Sequence, residues 1–154
     1  MRIGEICTRE VVQCERDAPV ALIAQLMRNH HVGDVIVVDR KDNKLVPVGI
    51  VTDRDLVVQV IAQAVAPAGL AARDLMNEDL VTAEENEDVY DAIWHMRSKG
   101  IRRLPVVDAH KFLIGVLTVD DVVEFLAEEL AQVARIVPRQ IKLEGAARGP
   151  VKGK

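Results

Sequence analysis

The sequence predicts an α+β fold built from a tandem repeat, and three observations lead to this prediction. A constant offset superposes the first half of the chain on the second, so that Met27 falls on Met96. Each half alternates stretches of helical apolar spacing with short Val-rich runs typical of strands. Hydrophobic residues make up 49% of the 154 residues and aromatic residues only 3%. We therefore expect an aliphatic core, in one compact domain or in two small ones that share a core.

The repeat stays in register on both sides of one change in loop length. Up to Asp39, which falls on Asp108, the same offset holds, and the first copy then carries a longer loop than the second. A slightly smaller offset aligns three further pairs: Gly49 with Gly115, Thr52 with Thr118, and Asp55 with Asp121. Matches on both sides of the change indicate two copies of one structural unit.

Each copy predicts the element order β-α-β-β-α. In the first copy we expect a brief strand at 11–12, a helix over 20–29, strands at 35–38 and 46–51 joined by a hairpin loop over 39–44, and a helix over 53–64. In the second copy we expect a strand at 80–82, a helix from 89, strands at 104–107 and 112–117, and a helix over 119–130. The strands are Val-rich without alternation, which indicates sheets covered on their core side.

The domain boundaries follow from breaks in these patterns. We predict a first repeat over 1–64, a connector over 65–72, a second repeat over 73–137 and a flexible basic tail over 138–154. Pro67 and Gly69 mark the connector because both residues interrupt helices. Pro138 is expected to end the last helix, and the segment after it is rich in Gly, Lys and Arg.

Charge and spacing argue against several classes of protein. A formal net charge of −4 argues against non-specific binding of nucleic acid. No apolar run approaches the roughly 20 residues needed to span a bilayer, and no signal peptide follows Met1, so a cytoplasmic protein without membrane contact is expected. The two cysteines, Cys7 and Cys14, are expected to be reduced thiols. Neither a metal-ligand spacing nor a nucleophile beside a base is present, which predicts a protein that is not an enzyme and needs no obligatory metal.

The two strand-to-helix corners carry the chemistry. A glycine lets another group approach a strand closely, and free N–H groups at a helix start favour an anion. A threonine hydroxyl there can bond a phosphate or sugar oxygen, and an aspartate one turn later can accept hydrogen bonds from a ribose. The same Thr-x-x-Asp spacing also predicts a helix capping box. The spacing alone leaves both interpretations open.

Two stretches resemble a known family. Gly-Ile-Val-Thr-Asp-Arg-Asp-Leu at 49–56 and Gly-Ile-Arg-Arg-Leu-Pro-Val-Val-Asp at 100–108 are similar to motifs of the CBS domain, named after cystathionine β-synthase. The resemblance covers about residues 1–130 and is to the small stand-alone bacterial proteins that consist of one CBS pair. It implies two β-α-β-β-α units related by a pseudo-twofold axis, a Bateman module.

The resemblance also implies a function. CBS pairs bind adenine nucleotides, such as AMP, ADP, ATP or S-adenosylmethionine, in clefts between the repeats, and they regulate a partner. We therefore expect a nucleotide-responsive regulatory or sensor protein that forms a homodimer and acts on an unknown regulated protein. The alternative is a structural or interaction module whose clefts no longer bind a ligand.

The site residues are carried over from the family position by position. The residues expected at the ribose or phosphate are Thr52, Asp55, Thr118 and Asp121. The residues expected to frame the adenine are Val12, Val37, Val81 and Val106. The basic residues expected near phosphate are Arg54, Arg102 and Arg103.

The two copies differ at one of these places. Where the second copy has Arg102-Arg103, the first has Gly33-Asp34. A carboxylate near a phosphate repels it, so we predict one occupied site and one degenerate site. Asp34 is also the residue that supports the ligand-free alternative, and under that alternative the two arginines are a solvated surface pair.

Overall fold

The computed structural model describes residues 1–147, which form an α+β fold with two three-stranded sheets. The predicted fold class is confirmed. The first half contains α1 Ile3–Ile6, β1 Gln13–Glu15, α2 Val20–His30, β2 Asp34–Lys41, β3 Lys44–Thr52 and α3 Asp53–Asp55, which continues as the π-helix Leu56–Ile61. The second half contains α4 Ala72–Leu75, β4 Ala83–Glu84, α5 Val89–Lys99, β5 Arg103–Val107, β6 Leu113–Thr118, α6 Val119–Ala134 and α7 Ile136–Ala147.

Both sheets have the same topology. β1 pairs in parallel with β2, which pairs antiparallel with β3, and β4, β5 and β6 repeat this arrangement. The register places Asp34 opposite Thr52 in the first sheet and Arg103 opposite Thr118 in the second. The first residue of each central strand therefore lies beside the corner where the next strand turns into a helix.

Reciprocal contacts relate the two units by a pseudo-twofold axis. Within residues 1–147, four isolated backbone bridges join the repeats, and they form two pairs. The two bridges of a pair connect equivalent positions of the two repeats. The bridges are Thr8–Val116 with Asn77–Ile50, and Arg2–Asp88 with Ala71–Pro19. The segment before β1 therefore runs beside β6, and the segment before β4 runs beside β3.

These bridges explain why the first strand of each unit is displaced from its predicted place. β1 begins at Gln13, after the expected 11–12, and β4 begins at Ala83, after the expected 80–82. The preceding residues contact the other repeat first, and pairing with the home sheet becomes regular only later. Val12 already accepts a hydrogen bond from the Ile36 amide, at 3.0 Å.

The hairpin between β2 and β3 is tighter than predicted. The expected loop over 39–44 is wrong, because the strands continue to Lys41 and Lys44 and only two residues form the turn. Those residues, Asp42 and Asn43, have φ values of 49° and 62°. Positive φ at both central positions matches the twist of the paired strands, and Asp and Asn adopt it more readily than most residues.

The chain stays helical beyond its predicted end. Pro138 does not stop the helix, because it lies in the first turn of α7, where a missing N–H leaves no intrahelical bond unmade. Within the predicted flexible tail over 138–154, residues 138–147 are helical and exposed. Residues 148–154 lie outside the described part of the chain. Within residues 1–147, no helix combines the length and the apolar composition needed to cross a membrane.

Two hydrophobic cores form, and each takes residues from both halves of the chain. The first core, around Val35, Val37 and Val51, also contains Ala72 and Leu75 of α4. The second core, around Leu104, Val106 and Leu117, contains Ile3 of α1, which is fully buried. The short opening helix of each copy therefore completes the core of the other copy.

Candidate functional site

The first strand-to-helix corner is a complete capping box. Thr52 caps α3, and its hydroxyl oxygen accepts a hydrogen bond from the Asp55 amide at 3.2 Å. Oδ2 of Asp55 accepts from both the amide and the hydroxyl of Thr52, each at 2.8 Å. The capping interpretation of this spacing is confirmed. It does not exclude a ligand, because the cap uses only Oδ2 of Asp55 and leaves Oδ1 outside it.

The second corner repeats the first nearly atom for atom. Oδ2 of Asp121 accepts from the amide and the hydroxyl of Thr118, each at 2.7 Å, and the Asp121 amide donates back at 3.2 Å. All four corner side chains are partly exposed. Each carboxylate is therefore held in a fixed orientation at the start of a helix, where partial positive charge favours an anion.

Gln59 makes the two corners unequal. Its Nε2 atom donates to Oδ1 of Asp55 at 3.3 Å and to the Leu75 carbonyl at 3.4 Å. The equivalent residue in the second repeat is Phe125, which is buried in the core. Within residues 1–147, Oδ1 of Asp121 therefore has no comparable partner. Our sequence analysis missed Gln59, although its position four residues after Asp55 is the spacing of a helical side-chain pair.

Other parts of the same chain pack closely against the two corner glycines, Gly49 and Gly115. A Cβ on Gly49 would lie 2.7 Å from Sδ of Met76, and one on Gly115 would lie 2.9 Å from Sγ of Cys7. Met76 and Cys7 follow α4 and α1, so the opening segment of each repeat fills the space above the glycine of the other. The predicted close approach is confirmed, and the approaching groups belong to the protein itself: a side chain at each glycine and, at Gly115, also the Thr8 carbonyl oxygen.

Arg103 of the second repeat reaches into the first. Its Nε atom forms an ion pair with Oδ1 of Asp34. A Cβ on Gly33 would lie 3.4 Å from Nη2 of Arg103 and 3.2 Å from Oδ2 of Asp53. Arg103, Asp34 and Asp53 therefore meet beside Gly33, next to Thr52. This contact brings the predicted phosphate-facing arginine to the first corner.

The other two basic residues of the predicted site are exposed. Arg102 has an exposed side chain, and its backbone carbonyl accepts a hydrogen bond from the Val119 amide at 2.9 Å. The equivalent bond joins Gly33 and Asp53, also at 2.9 Å. Arg54 is exposed one residue before Asp55. Both cations are thus placed beside a corner without a fixed partner side chain among the described residues.

The four valines expected to frame the adenine are divided by burial. Val37 and Val106 are 0% exposed and belong to the cores of their own repeats. Both side chains are covered within their own repeat, and the ligand contact expected of these two residues stays a prediction. Val12 and Val81 are partly exposed and pack on the edge of their cores, so only these two retain surface for a ligand.

A cleft of about 500 Å³ lies between the two repeats. Its lining mixes polar and apolar surface, and Arg16, Glu78 and Lys111 supply its charged groups. The remaining lining residues are Val46, Pro47, Val48, Leu80, Thr82 and Val107. The predicted site residues do not line this cleft, although Leu80 and Thr82 flank Val81. Sequence reasoning missed it because its walls come from both repeats, which are distant along the chain.

The equivalent surface on the other side of the axis carries different contacts. Nζ of Lys44 lies 4.6 Å from the centre of the Phe112 ring, and Phe112 is the sequence equivalent of Val46. Arg9 forms an ion pair with Glu85 at 3.8 Å, at the places equivalent to Glu78 and Arg16. The larger ring and the lysine above it make the two sides of the molecule different.

The histidines and cysteines do not gather into a metal centre. Among residues 1–147, no group of three His, Cys, Asp or Glu side chains could hold a metal ion. Cys7 and Cys14 are both free. Burial raises the pKa of the Cys14 thiol to about 11, and burial also raises the pKa of Cys7. Both groups are therefore protonated and weakly reactive at neutral pH.

Comparison with known proteins identifies related chains. The family model described as CBS domain matches residues 3–61 and 72–128. An uncharacterised protein of Methanopyrus kandleri is 40% identical over 122 residues, which cover 79% of this chain and 61% of that protein. Inosine-5′-monophosphate dehydrogenase of Thermoplasma acidophilum is 32% identical over 94% of this chain but only 27% of the enzyme. This chain thus spans less than two thirds of either relative.

A solved structure shares the fold. The CBS domain protein of Pyrobaculum aerophilum, complexed with AMP, superposes with a TM-score of 0.71 and 28% identity. The match covers 79% of this chain and 89% of that one.

Proposed function

Because the chain belongs to the CBS domain family, we propose that it is a regulatory or sensor module that binds an adenine nucleotide between its two repeats. One observation carries the proposal. A cation of the second repeat, Arg103, lies beside the corner of the first repeat that presents Thr52 and Asp55. A phosphate and a ribose are the two parts of a nucleotide that these groups suit.

Each side chain has a stated role in the proposed complex. Oδ1 of Asp55 accepts hydrogen bonds from the ribose hydroxyls in place of the one from Gln59. The N–H groups at the start of α3 face the phosphate together with Arg103. Val81, at the edge of the second core, packs against the base. AMP, ADP, ATP and S-adenosylmethionine are the candidate ligands, and AMP is supported by the complex of the Pyrobaculum aerophilum relative.

A change in the relative position of the repeats is the proposed output. Arg103 and Asp34 join the two repeats at the axis, so a ligand that binds there acts on the contact between them. By linkage, the ligand must favour one arrangement of the repeats to shift the population. A partner protein would read that arrangement, and its identity is open.

Thermal unfolding of the full chain with each candidate ligand tests the proposal. A ligand at about 100 times its dissociation constant adds about 2.7 kcal/mol to the free energy of unfolding. We expect Asp55→Ala to weaken binding at least about tenfold, because it removes a charged acceptor of the ribose. Asp121→Ala should have the smaller effect, since the guanidinium group of Arg103 is directed to the first corner, beside Gly33 and Asp34.

Asp88→Ala is the matched control for lost capping. Asp88 caps α5 through the Tyr90 amide at 3.0 Å and is not one of the predicted site residues. If Asp55→Ala and Asp121→Ala both bind like the parent chain, the ribose assignment is wrong. If no adenine compound at millimolar concentration shifts the unfolding temperature, the sensor proposal fails.

We further propose that two modules join through their helices into a homodimer. Support comes from the large apolar side chains that α6 and the π-helix leave exposed. They are Val57, Val58, Ile61, Val123, Leu126, Leu130 and Val133. The mass of the protein in solution tests this proposal.

The second candidate function is a structural module that binds no ligand. It is favoured by the ion pair that already occupies Arg103 and by Gln59 on Asp55. The same ligand panel distinguishes it, because a structural module shows no shift with any adenine compound.

A further inference from the structure

Asp34 and Arg103 hold equivalent places in the two repeats. Asp34 opens β2 opposite Thr52, and Arg103 opens β5 opposite Thr118. The pseudo-twofold axis brings these first strand residues together, and they form an ion pair. In a symmetric pair of repeats the axis would bring like charges together. Here one repeat supplies the acid and the other the base, so the contact across the axis is attractive.

The pair is shielded from water, chiefly on its acidic side. The Asp34 side chain is 13% exposed and that of Arg103 is 30% exposed. Burial, the largest cause, raises the pKa of Asp34 above its usual range, and the nearby Asp53 carboxylate also raises it, whereas Arg103 lowers it. Asp34 therefore depends on Arg103 to remain ionised at low cost.

We propose that Asp34 is a built-in competitor for phosphate at Arg103, and that it sets the preference of this site between phosphorylated and uncharged adenine ligands. The inference rests on the proposed function and names the residue that controls its selectivity. Asp34 forms an ion pair with the guanidinium group of Arg103, which is the group that a nucleotide phosphate would approach. A ligand without phosphate leaves the ion pair in place.

The selectivity follows from the charges around Gly33. A phosphate that binds Arg103 must displace Asp34 or lie beside it. In either arrangement a shielded carboxylate faces further negative charge, from the phosphate and from Asp53, and like charges placed close together weaken binding. Adenosine carries no such charge. The affinity for AMP is therefore reduced by Asp34, and the affinity for adenosine is not.

Isothermal titration of the full chain with AMP and with adenosine tests this proposal. We expect Asp34→Asn to tighten AMP about tenfold, or about 1.4 kcal/mol, because one like charge is removed at close range. The affinity for adenosine should change less than about twofold on the same grounds. Arg103→Gln should weaken AMP and leave adenosine nearly unchanged.

Two controls separate this effect from a general change of charge or of folding. Asp39→Asn removes the same charge from the other end of β2, where Asp39 pairs with Arg16 at 2.8 Å, and it should leave the ratio of the two affinities unchanged. Adding Asp34→Asn to Arg103→Gln should tighten AMP less than Asp34→Asn does in the parent chain, because the cation for which Asp34 competes is absent and only its direct repulsion of the phosphate is removed. Asp34→Ser replaces Asp34→Asn if the latter does not fold.

The outcomes are distinct. If the parent chain binds AMP and Asp34→Asn weakens it, or shifts AMP and adenosine equally, Asp34 is not a competitor and only this inference is overturned. If neither the parent chain nor Asp34→Asn binds AMP, adenosine or any other candidate ligand, the proposed function fails together with it. Binding of AMP by Asp34→Asn but not by the parent chain supports the inference.

Discussion

Gly49 and Gly115 hold equivalent positions on β3 and β6, but a side chain at each would meet a different kind of neighbour. At Gly49 the nearest atom to a Cβ is Sδ of Met76, at 2.7 Å, and a methionine side chain can turn aside. At Gly115 a Cβ would lie 2.9 Å from the Thr8 carbonyl oxygen. That carbonyl accepts a hydrogen bond from the Val116 amide at 2.9 Å, and this bond between the repeats fixes its position.

We therefore expect Gly115→Ala to lower the free energy of unfolding by about 1–3 kcal/mol, as overpacking against a fixed neighbour does. Gly49→Ala should cost less, because a rotamer change of Met76 moves Sδ away and leaves only the tight contact with its Cβ, at 3.0 Å. Chemical denaturation of the two variants measures the difference. Equal losses in the two variants would show that both neighbours are equally rigid and would contradict the comparison.

Single residues also show how far sequence reasoning extends. The Thr-x-x-Asp pattern predicts both capping boxes, because a cap is a local feature of four consecutive residues. The family motif suggested a ligand contact for Val37 and Val106, whereas both are buried in their cores. Consecutive residues of both central strands are buried, so both faces of these strands are covered, and a run of apolar residues does not indicate which of them a ligand could reach.

Among the elements, α6 carries apolar side chains on more than its core-facing side. Val122 and Phe125 are buried against the second core. The exposed apolar stripe on the same helix consists of Val123, Leu126, Leu130 and Val133. Spacings of three and four residues place this stripe along one side of the helix, next to the buried face and accessible to a second molecule.

We expect Leu130→Asp to lower the mass of the protein in solution from dimer to monomer, because it places a charge in the apolar stripe. Leu130 is 70% exposed, so the folded monomer should tolerate the change. Light scattering after size-exclusion chromatography measures the mass. Ala131→Asp, which adds the same charge to α6 outside the stripe, is the control, and a dimer that survives Leu130→Asp would rule out this stripe as the interface.

Element boundaries were predictable where one local pattern decides them and not elsewhere. The helix predicted over 20–29 is observed as Val20–His30, because its apolar spacing and its start are local. The predicted hairpin loop was wrong because a run of polar residues is typical of a loop, whereas strand pairing here extends through most of that run. The π-helix after α3 has no signal in the sequence and was predicted as an ordinary helix.

At the scale of the whole molecule, the two repeats exchange their opening helices. Ile3 of α1 is fully buried in the second core, and Leu75 of α4 is buried in the first. The proposed boundaries at 64 and 73 therefore describe the sequence repeat. The hydrophobic cores do not follow these boundaries, because each core contains residues from both repeats. A repeat cut from the chain at these boundaries would lose part of its own core.

Ile3→Ala should destabilise the second repeat although Ile3 belongs to the first. We expect a loss of about 2–5 kcal/mol in the free energy of unfolding, as for other large-to-small changes in a core. The fluorescence of Trp94, on α5 of the second repeat, reports the transition. Leu22→Ala on the exposed side of α2 is the control. An unchanged Trp94 transition in Ile3→Ala would mean that α1 is not part of the second core in solution.

The sequence by itself determined the repeat, the aliphatic cores, the capped corners and the family, because each depends on residue types at fixed short spacings. Tertiary structure alone decided what the corners face. It placed Arg103 against Asp34 across the pseudo-twofold axis and Gln59 on Asp55, and it placed Lys44 over the Phe112 ring. The physical reason is that contacts across the axis join residues far apart in the chain, and their distances depend on how the two sheets pack.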